Sequence, residues 1–288
     1  MPQNSSALSG TIDSLYYYPV KGLSPQRLDE VPLEAGRGFP HDRRYALARA
    51  DGRYVPGARQ PLGKREFHVL MKDERLAAVR SVYDPGTDVL QLFPASPAEG
   101  AEAGAPAALT ADLSTAAGRQ ALVGYVAELL ELPADGQPVF AEEDGLRFPD
   151  LLRTGEREMQ AVSIINLASV RELGERAGVT VDPLRFRANI HLEGLEPFAE
   201  RALPGPVLEC GDVRLEVFQE TARCAATEVN PGTAGRDLPM LKVLYEHLGH
   251  SNMGIYAYVT AGGRLATGQA VRAGGVWTPV NPSSLTRV

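Results

Sequence analysis

From Thr11 to about Phe93 the chain advances in short apolar runs cut by Gly, Pro and Asp, and this punctuation limits its fold more than any other feature. Ile12-Asp13-Ser14-Leu15-Tyr16-Tyr17-Tyr18 and Arg44-Tyr45-Ala46-Leu47-Ala48 read as strands separated by turns. Asp51-Gly52, between Ala46-Leu47-Ala48 and Tyr54-Val55, is a hairpin signal, because glycine supplies the positive φ of a tight turn. After Pro183 the segments Phe186 to Leu192, Val207 to Cys210 and Val213 to Glu220 alternate apolar and polar at period two, with Gly211-Asp212 as the turn joining the last two. Ile255 to Thr260, Gly262-Gly263 and Arg264 to Ala266 suggest a further hairpin, and Ala270 to Arg272 a strand able to close the sheet.

Three segments carry helical spacing instead. Ser114 or Thr115 can cap a helix to about Leu130, with Leu122, Val126, Leu129 and Leu130 on one stripe. Asn166 to Ala177 has Asn166 as its cap and Gly178 as its stop, and a third helix spans about Leu238 to Leu248. The fold class is therefore mainly β (α+β), with two lobes and a few packed helices. The chain of 288 residues is long enough for each lobe to bury a core. Residues 8–132 form the N-terminal, β-barrel-like lobe, 133–158 a Pro/Gly-rich linker, 159–275 the second strand-rich lobe and 276–288 a C-terminal tail. Pro94 to Ala108 is a loop without large apolar residues.

A net charge of -7 leaves no electrostatic footprint for nucleic acid. No apolar run approaches a membrane span, and the N-terminus lacks a signal-like pattern, so a cytoplasmic protein without membrane contact is expected. Cys210 and Cys224 are too few for a zinc site or an iron–sulfur cluster. Cys210, in Val207-Leu208-Glu209-Cys210, alternates like a core strand residue. Cys224 differs: it follows Arg223 at a strand end, and a neighbouring guanidinium favours the thiolate, the reactive and metal-binding form. A lone Arg-Cys pair is nevertheless more often packing than chemistry, so the surroundings must decide.

Those surroundings supply an ordered set of motifs. Tyr18-Pro19-Val20-Lys21-Gly22, Gly38-Phe39-Pro40-His41-Asp42-Arg43-Arg44-Tyr45, Phe186-Arg187-Ala188-Asn189-Ile190 and Arg223-Cys224 with Asn230-Pro231-Gly232-Thr233 run through nearly the whole chain. Together they resemble the MOSC family, the molybdenum-cofactor sulfurase C-terminal domain, with its N-terminal β-barrel partner domain. Gly22 stands where relatives often have serine, Asn230 where aspartate is commoner, and Met159-Gln160-Ala161 where relatives often place a hydroxyl pair.

The resemblance implies a molybdenum cofactor, whose phosphate and dithiolene call for cationic forks, amide partners and a soft ligand. It implies Cys224 as the metal ligand and catalytic centre, Arg187 and Arg43 as phosphate forks, Lys21 as a point charge, and Asn189 at the pterin edge. Gly22, Ala222 and Arg223 would orient the cofactor. The activity implied is reduction of N-hydroxylated or N-oxide small molecules, similar to the amidoxime-reducing component and the bacterial N-hydroxylated base reductases. With no flavin, nicotinamide or iron–sulfur motif in the chain, electrons would come from an external reductase. The alternative is a non-catalytic carrier of sulfur or cofactor that uses Cys224. Pyridoxal phosphate is not expected, because no lysine has a Schiff-base context.

Overall fold

The computed structural model describes residues 9–59, 62–95, 106–151, 156–202 and 205–274. The expected C-terminal tail, 276–288, lies outside the described residues, as does most of the Pro94 to Ala108 loop. In chain order the elements are β1 (Ser9–Tyr17), β2 (Gln26–Leu28), β3 (Glu30–Leu33), β4 (Ala46–Ala48), β5 (Val79–Asp84), β6 (Val89–Pro94), β7 (Leu109–Asp112), α1 (Ala116–Leu129), β8 (Val139–Ala141) and α2 (Glu156–Met159). They continue with β9 (Val162–Asn166), α3 (Leu167–Ala177), β10 (Ile190–Glu193), β11 (Val207–Cys210), β12 (Val213–Ala222), α4 (Met240–Leu248), β13 (Asn252–Ala261), β14 (Gly263–Ala266) and β15 (Ala270–Gly274). Strands dominate, as the short alternating runs predict.

Seven strands close into a barrel in the order β10-β9-β13-β12-β11-β15-β1, with β1 returning to pair with β10 and β2 added beside β1. The closing contacts are long-range: Thr11 faces Glu193 and Leu15 faces Ile190 on one edge of β1, while Ser9 faces Arg272 on the other. Closure removes the open edges that would otherwise invite strand addition. β1, at the start of the segment 8–132, thus pairs with strands from the second half of the chain. The expected Val207–Cys210 and Val213 hairpin forms, with Cys210 opposite Val213 and Gly211 at φ 60°. β9 and β10 run parallel because α3 crosses between them.

Around the barrel, β5, β6 and β7 make an antiparallel sheet against which α1 lies, and β4 pairs with β8. α1 is capped by Thr115, whose hydroxyl accepts from Gly118 N at 3.0 Å. α3 is capped by Asn166, and Gly178 ends it at φ 66°. One apolar cluster holds Leu15, Ile190, Val213 and Ile255 of the barrel together with Tyr83, Leu90, Leu122 and Val126 of the lobe. The lobes share a core, and their interface is fixed by the same burial that stabilises each.

Three local readings fail for identifiable reasons. Ala46–Ala48 does not form a hairpin across Asp51-Gly52: its edges are taken by β8 and by Phe67-His68, with His68 N donating to Leu47 O at 2.8 Å. The Gly262-Gly263 hairpin is also absent. Gly262 passes so close to β3 that a Cβ there would lie 2.5 Å from Leu33 O, and β14 pairs with β3 instead. Finally, the Phe186 to Leu192 strand begins only at Ile190. Asp182 caps a 3₁₀ turn over Pro183–Phe186, and Arg187 follows in the left-handed region at φ 52°. Arg187 and Asn189 therefore do not share a strand face.

Candidate cofactor and catalytic site

β12 ends at Ala222, opposite Asn252 of β13, and the chain then turns. Arg223 N donates to Ser251 O at 2.9 Å, and Cys224 starts a 3₁₀ turn over Ala225–Glu228, its carbonyl accepting from Thr227 N at 3.0 Å and Thr227 Oγ1 at 2.9 Å. This fixes a half-buried Cys224 thiol at the wall of a cleft between the lobes that encloses about 800 Å³, part of it open to solvent. Gly22, Arg43, Arg187, Asn189, Ala222 and Arg223 line the same cleft. Residues far apart in sequence, from both lobes, thus converge on one thiol. Cys210 is elsewhere, buried at 1% exposure in the core, and burial pushes its thiol up to about 12.

The cleft is built on buried arginines. Arg223 donates through Nη1 to Phe186 O and through Nε to Met253 O, both at 2.7 Å, while its Nη2 has no protein partner. Burial pulls the Arg223 guanidinium down to about 10, so it is still a cation at neutral pH. Arg187 donates through Nη1 to Leu23 O at 2.9 Å and likewise leaves Nη2 unpartnered. Arg43 Nη1 holds the Asp42 carboxylate at 2.8 and 2.9 Å, and Nη2 reaches Arg187 O at 3.1 Å, with Nε left over. The Arg43 and Arg187 guanidinium carbons lie 4.4 and 4.3 Å from the Tyr18 ring, a cation–π arrangement that keeps two like charges in register. Orphaned buried donors are costly, about 1–3 kcal/mol each, unless a ligand accepts from them. Five lining arginines, 43, 147, 185, 187 and 223, each carry one.

This donor set fits an anionic group bearing several acceptor oxygens, and the single half-buried thiol fits a soft metal that brings its own remaining ligands. Among the described residues no cluster of three or more His, Cys, Asp or Glu side chains is positioned to hold a metal.

Not every expected residue faces the cleft freely. Lys21 is 2% exposed and lies behind the wall, its ammonium donating to Phe148 O at 3.0 Å, Pro149 O at 2.8 Å and Asp150 Oδ1 at 2.7 Å. An ammonium has three donors, so all are engaged, and the expected free point charge is instead paired. Burial pulls the Lys21 amine down, opposed by Asp150. Asn189 is also committed: its carbonyl oxygen accepts from Ser163 N and Oγ at 3.1 and 2.9 Å, and its amide donates to Tyr16 O at 3.1 Å. It ties β9 to β1 at the cleft floor, with one amide hydrogen left for a ligand. Gly22 adopts φ 89°, and a Cβ there would lie 2.8 Å from His68 O, so only glycine fits this backbone without movement.

Several lining residues have no counterpart in the sequence reading. Asp42, fully buried, joins Arg43 and Arg147; burial alone would raise its carboxyl, but the two guanidinium groups hold it below the usual range. Asp150 is treated likewise by Lys21, Arg43 and Arg187, which outweigh burial and hold its carboxyl far below the usual range. Arg185 donates to Asp237 at 2.6 Å, and Asn230 donates to the same carboxylate at 2.6 Å. Asn230 and Arg185 thus share the Asp237 carboxylate. Tyr256, on β13, completes the wall, and burial raises its hydroxyl above the ordinary value. Arg185 could have been noticed as a second arginine two residues before Arg187; Arg147 and Asp150, in the linker, have no local signal.

Among known proteins, a family model described as the MOSC domain matches residues 150–272, and one described as the MOSC N-terminal beta barrel domain matches residues 9–98. No curated protein matches the chain. Solved structures that resemble it include the YuaD protein of Bacillus subtilis, at 12% identity over 93% of this chain and 97% of that one, with a TM-score of 0.43. YiiM from Geobacillus stearothermophilus is 20% identical over 40% of this chain and 54% of its own, with a TM-score of 0.32. YiiM from Escherichia coli is 18% identical over 43% of this chain and 59% of its own, with a TM-score of 0.30. No helix among the described residues is long and apolar enough to cross a membrane.

Proposed function

Because the chain is a MOSC domain protein with a MOSC N-terminal β-barrel domain, we propose that its cleft holds a molybdenum cofactor and reduces N-hydroxylated or N-oxide compounds with electrons from an external reductase. One observation carries this reading: the half-buried Cys224 thiol shares a cleft with arginines whose buried donors lack protein partners. When bound, the cofactor would supply a redox centre for delivering two electrons, which with two protons convert N–OH to N–H and water.

The chain's own residues bind and orient. Cys224 is the soft ligand. Arg187 and Arg43, stacked on Tyr18, would meet the cofactor's phosphate through the donors the protein leaves unpartnered, Nη2 of Arg187 and Nε of Arg43, rather than through free forks. Lys21 acts from behind the wall, through Asp150, as a positioning residue. Tyr256 keeps its hydroxyl proton at neutral pH and can donate a hydrogen bond to an oxygen in the cleft. Ser163 and Asn189 hold the floor rigid.

The test is the molybdenum-to-protein ratio by elemental mass spectrometry for the wild type and Cys224→Ser, both made in a host that synthesises the cofactor. The expected result is near-stoichiometric metal in the wild type, lost or labile in the variant, and amidoxime reduction with an artificial reductant. Stoichiometric metal without turnover would move the reading to a carrier, and no metal in either protein would overturn it.

A further inference from the structure

The three cations expected to receive an anionic ligand already surround a carboxylate of the chain itself. Asp150 accepts from Lys21 Nζ at 2.7 Å, its other oxygen lies 3.7 Å from Arg43 Nη2, and Arg187 is close enough to act on its charge. It lines the cleft, its side chain is about a third exposed, and it ends the short stretch 148–150 held down by Lys21 and by Phe148 N donating to Arg43 O at 2.8 Å. Without a carboxylate there, Lys21, Arg43 and Arg187 would be like charges packed in a buried space, which is costly. Asp42 offsets only part of this charge: it sits on Arg43 but is shared with the buried Arg147, and it makes no contact with Lys21.

We propose that Asp150 is a built-in stand-in for the ligand's anionic group: it neutralises the Lys21–Arg43–Arg187 cradle in the ligand-free protein and competes with an incoming phosphate for it. The ligand class follows from the chemistry. A carboxylate offers one negative charge and two acceptor oxygens, so a phosphate or pyrophosphate, with more of both, can displace it, whereas chloride or a simple monocarboxylate cannot. The orphaned Nη2 of Arg187 and Nε of Arg43 remain for the oxygens that Asp150 leaves unmatched. Asp150 therefore selects for a phosphate-type anion and keeps the cleft assembled before that anion arrives. This rests on the anionic-ligand part of the proposed function and not on molybdenum or on turnover.

The test is titration calorimetry of inorganic pyrophosphate and of acetate against the full cofactor-free chain, wild type and Asp150→Asn, at fixed ionic strength. Removing one negative charge a few ångströms from the bound anion should tighten pyrophosphate at least about tenfold, with acetate binding neither protein measurably. Equal or weaker pyrophosphate binding by a folded Asp150→Asn protein would overturn the proposal and make Asp150 a supporting member of the cradle. If Asp150→Asn fails to fold because Lys21 is stranded, the doubly neutral Lys21→Met/Asp150→Asn protein keeps the charge balance. Its pyrophosphate affinity should then match the wild type despite the lost lysine, and a tenfold loss would refute the competition. Molybdenum content is not read in either arm, so a failure here is distinguishable from a failure of the proposed function.

Discussion

Gly22→Ser, which introduces the residue that the family resemblance leads one to expect after Tyr18-Pro19-Val20-Lys21, should destabilise this chain. Gly22 sits at φ 89°, outside the region where an L side chain is comfortable, and a left-handed backbone costs a non-glycine residue about 1–2 kcal/mol. Its Cβ would also stand 2.8 Å from His68 O and 3.0 Å from Leu76 Cδ1. Leu76 is fully buried and His68 O belongs to backbone paired beside β4, so neither gives way freely, and overpacking of this kind costs about 1–3 kcal/mol. Together these predict a loss of roughly 2–4 kcal/mol, which for a chain of 288 residues lowers the midpoint by about 3–7 °C. Thermal unfolding followed by circular dichroism, with Gly22→Ala as the hydroxyl-free control, measures it. Both variants should fall together, because the penalty lies in the backbone and the Cβ. A serine variant as stable as wild type, with alanine alone destabilised, would show that the hydroxyl finds a compensating partner and that the steric argument is wrong.

Asp42→Asn should be more damaging, by about 3–5 kcal/mol, because it strips the shared counter-ion from two buried guanidinium groups; urea unfolding reads it, and a loss under about 1 kcal/mol contradicts the assignment. His191 is buried against Tyr16, with its Nε2 unpartnered, and burial lowers its pKa from 6.5 to about 4. A base with a depressed folded-state pKa takes up its proton more readily when unfolded, so stability should fall as pH drops from about 6.5 to about 4, by up to roughly 3 kcal/mol. His191→Gln should flatten that part of the pH–stability curve, and an unchanged slope would assign it to another group. The shared core predicts that both lobes unfold in one transition, so two resolved calorimetric peaks for the wild type would contradict the common cluster.

Local chemistry in the sequence was enough at most caps and at one tight turn. Thr115 and Asn166 cap their helices, Gly178 ends one, and Gly211 turns a hairpin, because each acts through its own backbone and near neighbours. The alignment of Cys224, Arg187, Arg43 and Arg223 on one cleft was likewise legible, but only through the ordered motifs taken together. Most of what was not legible depends on partners more than a hundred residues away. Nothing in Ile12 to Tyr18 says that the strand pairs with β10 and β15, and nothing in Gly263 to Ala266 points to β3. Lys21 looked like a free cation because its three acceptors lie at 148–150, and Arg187 looked like a strand residue because the Asp182 cap that curls its approach competes with an alternating pattern.

The closure of the barrel by β1 has a consequence for synthesis. The strand at Ser9–Tyr17 is made before its two barrel neighbours: β2 pairs with its C-terminal end from close by, but β10 and β15 follow much later in the chain, the latter at Ala270–Gly274. Until they emerge, only Leu15 to Tyr17 of this apolar strand have a partner, in β2, and contacts as distant in sequence as those with β10 and β15 form slowly. The barrel therefore cannot close until β15 has been made. Arrested chains that end before residue 270 should be the species that chaperones hold and proteases remove.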